Sequence, residues 1–231
     1  MACILSIETA TSVCSVALSN GGEILFEEAS FDGPSHAALL GVYAAQAVKV
    51  AKGEHLTLDA VAVSSGPGSY TGLRIGVSEA KGLCFGYGIP LISIPTLDIL
   101  ATKAIRLNKA SDDLFYCAML DARRMEVYAA IYDSTGQVIR ETQAEVVDAA
   151  TYAPYLSQRK VCFFGNGANK CKDVITSDRA VFLDGIHPMA VEMIPLAEQA
   201  YADARFVDTV YFEPFYLKEF IATIAKNKVL R

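Results

Sequence analysis

The sequence predicts an α/β protein built from one βββαβα pattern used twice, with mixed sheets. Three observations carry this reading. Hydrophobic residues make up 52% of the 231 residues and charged residues 20%, which is enough to fill a core without disulfides or a structural metal. Strand-like runs come in threes, near the start and again from residue 114, each trio followed by a helical stretch and another strand. Each trio's first strand ends in an acid, Glu8 and Asp121, a separation typical of duplicated domains and not of a solenoid.

The elements follow in order. Cys3–Glu8, 13–19 and Glu23–Ser30 read as strands, with Asn20-Gly21-Gly22 as a hairpin signal between the last two. A helix is expected from Ser35 to Lys52, entered through Gly33-Pro34 and stopped at Gly53. A strand over 58–64, a glycine turn, a helix over 71–85 and a short strand before Pro95 complete the first half, residues 1–108. The second half, 109–231, restarts with strands Leu114–Asp121, Glu126–Tyr132 and 137–143. A helix over 148–156, a strand over 161–165, the turn Gly165-Asn166-Gly167 and a helix over 189–204 follow.

Charge and cysteines define the setting. The net charge is −6, and no run of Lys or Arg is longer than Arg123-Arg124, which argues against strong nucleic-acid binding by this chain alone. The six cysteines form no C-x-x-C pair and sit in apolar runs, the pattern of buried thiols in a reducing compartment. The three histidines are scattered, so no zinc spacing exists. The N-terminus lacks a basic leader and no apolar run reaches about 18 residues, so a cytoplasmic protein without a membrane span is expected.

The most specific string is SSGPGSYTGLRIG, Ser64 to Gly76. Gly66-Pro67-Gly68 makes a tight turn, Ser69 or Thr71 can cap the next helix, and the free amides there could hold an anion. No Gly-Lys-Ser/Thr ends it, so it is not a P-loop. ILSIETAT at Ile4–Thr11, the Ser35-His36 helix start, DARRMEVYAAIY at Asp121–Tyr132 and EPFYLK at Glu213–Lys218 accompany it in fixed order. The duplicated topology resembles the actin, hexokinase and heat-shock-chaperone ATPase (ASKHA) superfamily. The motif set is similar to its glycoprotease-like branch, and within it to the bacterial TsaB (YeaZ) family.

That resemblance implies a role in making threonylcarbamoyladenosine beside the anticodon of transfer RNA. It implies a heterodimer with TsaD, with TsaE as an associated ATPase, a homodimer through the same helices, and contact with transfer RNA through the complex. ATP or ADP would belong to an interface of that complex, with no cofactor required by this chain. The residues argue against catalysis here. ATPases of this architecture place glycine in their phosphate turns, whereas Ala10 and Arg123 stand in the two turns of this chain. Glu8, Thr9, Thr11, Gly66, Gly68, Asp121 and Arg123 are therefore read as vestigial phosphate loops. Catalytic relatives carry a helical His-x-x-x-His metal pair, but His36 is followed at i+4 by Leu40. The alternatives are an active ATPase or kinase of this fold, which ATP turnover would reveal, and a glycoprotease-type metalloprotease, which bound metal would reveal.

The first helix carries two apolar stripes, Leu39, Leu40, Tyr43, Ala47 and Val50 against Ala38, Val42 and Ala45. On the second helix Gly72, Gly76 and Ala80 recur at i, i+4 and i+8, a smooth groove for another helix. A partner interface is expected over His36, Leu39, Leu40, Tyr43, Ala47, Val50, Gly72, Leu73, Gly76, Val77, Ala80 and Leu83. On that reading Gly76→Leu or Ala47→Glu should abolish partner binding and leave the monomer folded.

Overall fold

Strand β1 (Cys3–Glu8) is buried along its whole length because it lies in the middle of a five-stranded sheet. β2 (Cys14–Asn20) and β3 (Glu23–Ser30) flank it as an antiparallel meander, while β4 (Ala60–Ser64) and β5 (Leu91–Ile94) extend it in parallel on the other side. The sheet order is β3-β2-β1-β4-β5. The second half repeats it with β6 (Leu114–Asp121), β7 (Glu126–Tyr132), β8 (Val138–Val146), β9 (Lys160–Phe164) and β10 (Ala180–Leu183) in the order β8-β7-β6-β9-β10. This computed structural model describes residues 1–33, 35–109 and 111–217. Two mixed sheets of identical order bear out the duplicated, actin-like fold.

Among the described residues five α-helices accompany the sheets: α1 (His36–Gly53), α2 (Tyr70–Tyr87), α3 (Thr96–Leu107), α4 (Ala153–Leu156) and α5 (Ile194–Ala202). The two-residue period of the strands sorts the core. Cys3, Leu5 and Ile7 face α1 and α2, packing with Leu40, Ala44, Ala47, Val77 and Ala80. Ala2 and Ile4 face the other way, against Ala197 and Ala200 of α5. In the second sheet Tyr116, Ala118 and Leu120 pack on Leu97, Leu100, Ala101 and Ala104 of α3. Burying each of those two leucines contributes about 2 kcal/mol. A cut at residue 108 thus separates the sheets in sequence but leaves α3 packed on the second one, and α5 returns to the first. Arg106 of α3 and Glu192 close this crossover with a 2.6 Å ion pair, and Tyr132 OH donates to Asp98 Oδ1 at 2.7 Å.

Several expectations are corrected. No helix is expected over 96–107 and no strand over 180–183, yet both form. The helix expected over 148–156 is one turn, Ala153–Leu156, because the Asp148 carboxylate accepts from the amides of Ala150 and Thr151 and holds a local turn instead. The helix expected over 189–204 divides into a 3₁₀ turn, Ala190–Met193, and α5, with Pro195 in the first turn where its missing N–H costs nothing. All six cysteines are free and buried, as read from the sequence. Among the described residues no helix is long and apolar enough to cross a membrane.

Candidate functional site

The two sheets face each other across a cleft of about 820 Å³. Its first wall begins where β1 ends. Glu8 curls back so that the Ala10 amide donates to its Oε1 at 2.5 Å, and the Thr9 amide points to Ser64 Oγ at 3.5 Å. The chain then runs against α2: Ser69 N–H donates to the Ala10 carbonyl at 2.7 Å, and Thr9 Oγ1 donates to the Gly72 carbonyl at 2.8 Å. Only glycine permits this contact, since a methyl on Gly72 would overlap the Thr9 carbonyl oxygen and one on Gly76 would overlap Thr9 Oγ1. Ser69 caps α2, its Oγ accepting from the Gly72 amide at 3.2 Å. His36, at the start of α1, is buried with Nε2 2.9 Å from the Thr11 carbonyl oxygen.

Glu8 is fully enclosed, and its Oε2 has no hydrogen-bond partner. Burial pushes its carboxyl up to about 7, outweighing the opposing pull of the Ala10 amide and the Ser64 hydroxyl. The Cys14 thiol is pushed up to about 11 by its own burial and by Glu8.

The second wall is the turn after β6. Asp121 N–H donates to Asn166 Oδ1, Ala122 N–H to the Glu126 carbonyl and Arg123 N–H to Asp121 Oδ1, at 2.9 to 3.0 Å. Lys170 pairs with the Asp121 carboxylate and donates to the Glu126 carbonyl. Arg123 and Arg124 both adopt left-handed backbone, φ +72° and +51°, and both are exposed.

A third wall comes from residues 215–217, at the end of a segment anchored along the first half. Val207 bridges to Leu91 on the sheet edge, and the Lys81 ammonium donates to the Val210 carbonyl at 3.0 Å. The Phe215 amide donates to the Ser65 carbonyl at 2.7 Å. Tyr216 packs against Tyr70 with ring centroids 4.9 Å apart and the planes tilted by 40°, and the Arg74 guanidinium lies 4.2 Å over the Tyr70 ring. Phe215, Tyr216, Tyr70 and Tyr128 thus give the cleft an aromatic lining.

The structure brings Thr11, Gly68, Asp121 and Arg123 to one cleft, with Glu8, Thr9 and Gly66 behind its first wall. The resemblance implies ATP or ADP at an interface, but four amides of these turns are not open to a phosphate. The Ala10, Asp121, Ala122 and Arg123 amides already donate to the protein itself, and α2 is closed onto Thr9 and Ala10. Among the described residues no three His, Cys, Asp or Glu side chains come close enough to hold a metal.

The partner-interface expectation is corrected for most of its residues. Leu40, Ala47, Gly72, Leu73, Gly76, Val77 and Ala80 are buried inside the monomer, and so is His36. The glycine groove is filled by Thr9 and not by a second helix. Leu39, Tyr43, Val50 and Leu83 are half-buried, while Ala38, Val42 and Ala45 on the opposite stripe are exposed. Gly76→Leu and Ala47→Glu would therefore disrupt the fold itself. Tyr70, Tyr128, Phe215, Tyr216, Asn166 and Lys170 carry no site role in the sequence expectations above. Phe215 and Tyr216 were within reach through EPFYLK, of which Lys218 lies outside the described residues.

A family model described as TsaD, tRNA N6-adenosine threonylcarbamoyltransferase, matches residues 27–226. A protein of Escherichia coli K12 called tRNA threonylcarbamoyladenosine biosynthesis protein TsaB is 35% identical over 95% of this chain and 96% of its own length. The Haemophilus influenzae protein of the same name is 28% identical over 93% of each chain. A crystal structure from Pseudomonas aeruginosa, described as similar to peptidase YEAZ, aligns with TM-score 0.79 and 26% identity, covering 94% of this chain and all of that one. A second P. aeruginosa structure, called YeaZ, aligns with TM-score 0.76 and 26% identity over the same shares.

Proposed function

Because this chain belongs to the TsaB (YeaZ) family, we propose that it serves threonylcarbamoyladenosine formation on transfer RNA as a non-catalytic subunit acting with TsaD and TsaE. The role in that biosynthesis follows from the family. The non-catalytic part rests on one observation: amides in both phosphate turns are taken by the chain's own groups. Ala10 and its amide are sealed under Glu8 and α2, and the Asp121–Arg123 amides are held by Asn166, Glu126 and Asp121. With those amides taken, the electrostatic stabilisation that phosphoryl transfer depends on loses these donors in both turns.

The partner surface is assigned to the outer stripe of α1, Ala38, Val42 and Ala45, continued by the half-buried Leu39, Tyr43 and Leu83. Val42 is 50% exposed, high for a large apolar side chain on a nearly uncharged helix.

Co-expression with TsaD and TsaE in cells lacking their own copy of this subunit tests the reading by nucleoside mass spectrometry. Threonylcarbamoyladenosine is expected only when this chain is present, and Val42→Glu is expected to abolish both the nucleoside and co-purification with TsaD. The isolated chain is expected to turn over no ATP; robust hydrolysis would establish the ATPase alternative instead.

A further inference from the structure

The cleft is an exception to the charge of the rest of the molecule. The chain carries 26 acids and 20 Lys plus Arg, yet among the described cleft-lining residues the only acid is Asp121, and Lys170 pairs with it. Arg123 lines the cleft, Arg124 follows it in the chain and is exposed, and Arg74 lies over the Tyr70 ring with Glu213 near enough to act on it. The remaining lining is rich in rings: Tyr70, Tyr128, Phe215 and Tyr216. Flat π-faces beside cations, in a groove whose own acid is paired, suit a flat group attached to an anion. The Ala10, Asp121, Ala122 and Arg123 amides cannot take that anion, because the protein already uses them. It falls to the side chains of Arg123 and Arg124, two consecutive cations of which only the first belongs to the cleft lining.

We propose that this cleft binds a single-stranded segment of RNA, one base lying against the aromatic wall while Arg123 and Arg124 engage successive backbone phosphates. A free nucleotide offers the same base-and-phosphate chemistry, but it offers no second phosphate along a strand to the arginine outside the cleft. The inference rests on the transfer-RNA reading above and adds a contact made by this chain itself. Two arginines in an acidic protein make the contact weak, consistent with a site that works inside a complex.

The test uses the full chain and a short labelled single-stranded oligoribonucleotide followed by fluorescence anisotropy. Two phosphate contacts on a single strand predict an affinity loss of about sevenfold between about 50 and about 200 mM salt. Arg123→Gly with Arg124→Gly keeps the left-handed backbone and is expected to remove most of the binding and its salt dependence. The paired Lys variant is expected to restore the salt dependence. Phe215→Ala is expected to weaken binding severalfold with the salt dependence intact. ADP at matched concentration is expected not to displace the RNA. Full displacement by ADP, no measurable RNA binding, or an unchanged salt dependence in the Gly pair would each overturn the proposal. Nucleoside analysis of the co-expression system separates the two readings. A chain required for the modification that binds no RNA keeps the function and loses this site. A chain that binds RNA as described but is dispensable does the reverse.

Discussion

Glu8 and Asp121 end equivalent central strands, at the same place in two sheets of the same order, and their surroundings are opposite. Glu8 is buried under α2, with no charged partner and one oxygen unbonded. Asp121 is 47% exposed along its side chain and paired to Lys170. Both turns are backed by a glycine-containing turn after the fourth strand, Gly66-Pro67-Gly68 in one half and Gly165-Asn166-Gly167 in the other. In the first half that turn feeds an eighteen-residue helix, α2, whose glycine face closes down on Thr9. In the second it feeds only the three-residue 3₁₀ turn Asn169–Cys171. The length of the following helix therefore accounts for which acid is sealed in and which keeps access to the cleft. One turn has become core; the other remains surface.

The largest effect should come from breaking the seal. Gly72→Ala forces a methyl onto the Thr9 carbonyl oxygen, so backbone must move, and a loss of about 3 kcal/mol or more is expected. In the second half a methyl on Gly167 would meet the Leu120 carbonyl carbon at 2.8 Å, and Gly167→Ala should cost less, about 1–2 kcal/mol. Urea unfolding followed by circular dichroism measures both. Equal losses would show that α2 does not make the difference between the two turns.

Next in size is the buried acid. Glu8 has its carboxyl raised in the folded state, so the native protein holds that proton more tightly than the unfolded chain. Its stabilising contribution is complete below the unfolded value of 4.5 and falls away as pH rises toward about 7, where the loss levels off. Over that window the cost is about 3 kcal/mol. Glu8→Gln should flatten this slope, leaving the variant more stable than the parent at pH 8 and close to it below pH 4.5. Asp121→Asn breaks only an exposed pair and should change stability by no more than about 1 kcal/mol. Matched pH series of urea midpoints test the contrast; a flat profile for the parent would mean that Glu8 is not held neutral.

Much of this frame is legible in the residues. Cys3–Glu8, Glu23–Ser30, Leu114–Asp121 and Glu126–Tyr132 are strands with the bounds the sequence suggests, because apolar runs there end on acids or turn residues. The motifs around Ser64–Gly76 and Asp121–Tyr132 point to the family that the relatives bear out. The inward face of α1 is a different matter. With apolar residues on both stripes, nothing local says which one meets the sheet, and the structure buries Leu40, Ala44, Ala47 and Ala51. Small alanines lie on the core side because α1 packs close to β2 and α2. The glycine face of α2 carried the same ambiguity, since close approach by a partner helix and by the chain's own Thr9 demand the same residues. Helix α3 was within reach: Leu97, Leu100, Ala101 and Ala104 recur at helical spacing. Strand β10 was not, being four half-buried residues without alternation.

The smallest expected effect concerns Arg123 and discriminates most finely. A left-handed backbone at a residue with a Cβ costs about 1 kcal/mol, which glycine would relieve, while glycine's extra freedom in the unfolded chain returns about half of that gain. Arg123→Gly should therefore leave the protein about 0.5 kcal/mol more stable than the parent. Its amide bond to Asp121 Oδ1 survives, since it involves only backbone and the aspartate. If stability rises while RNA binding falls, the arginine is held in a strained conformation that stability alone does not require, and its side chain is there for the cleft. If stability instead drops by more than about 1 kcal/mol, the guanidinium supports the turn. The second turn would then be as structural as the first, and the contrast between Glu8 and Asp121 would be one of burial alone.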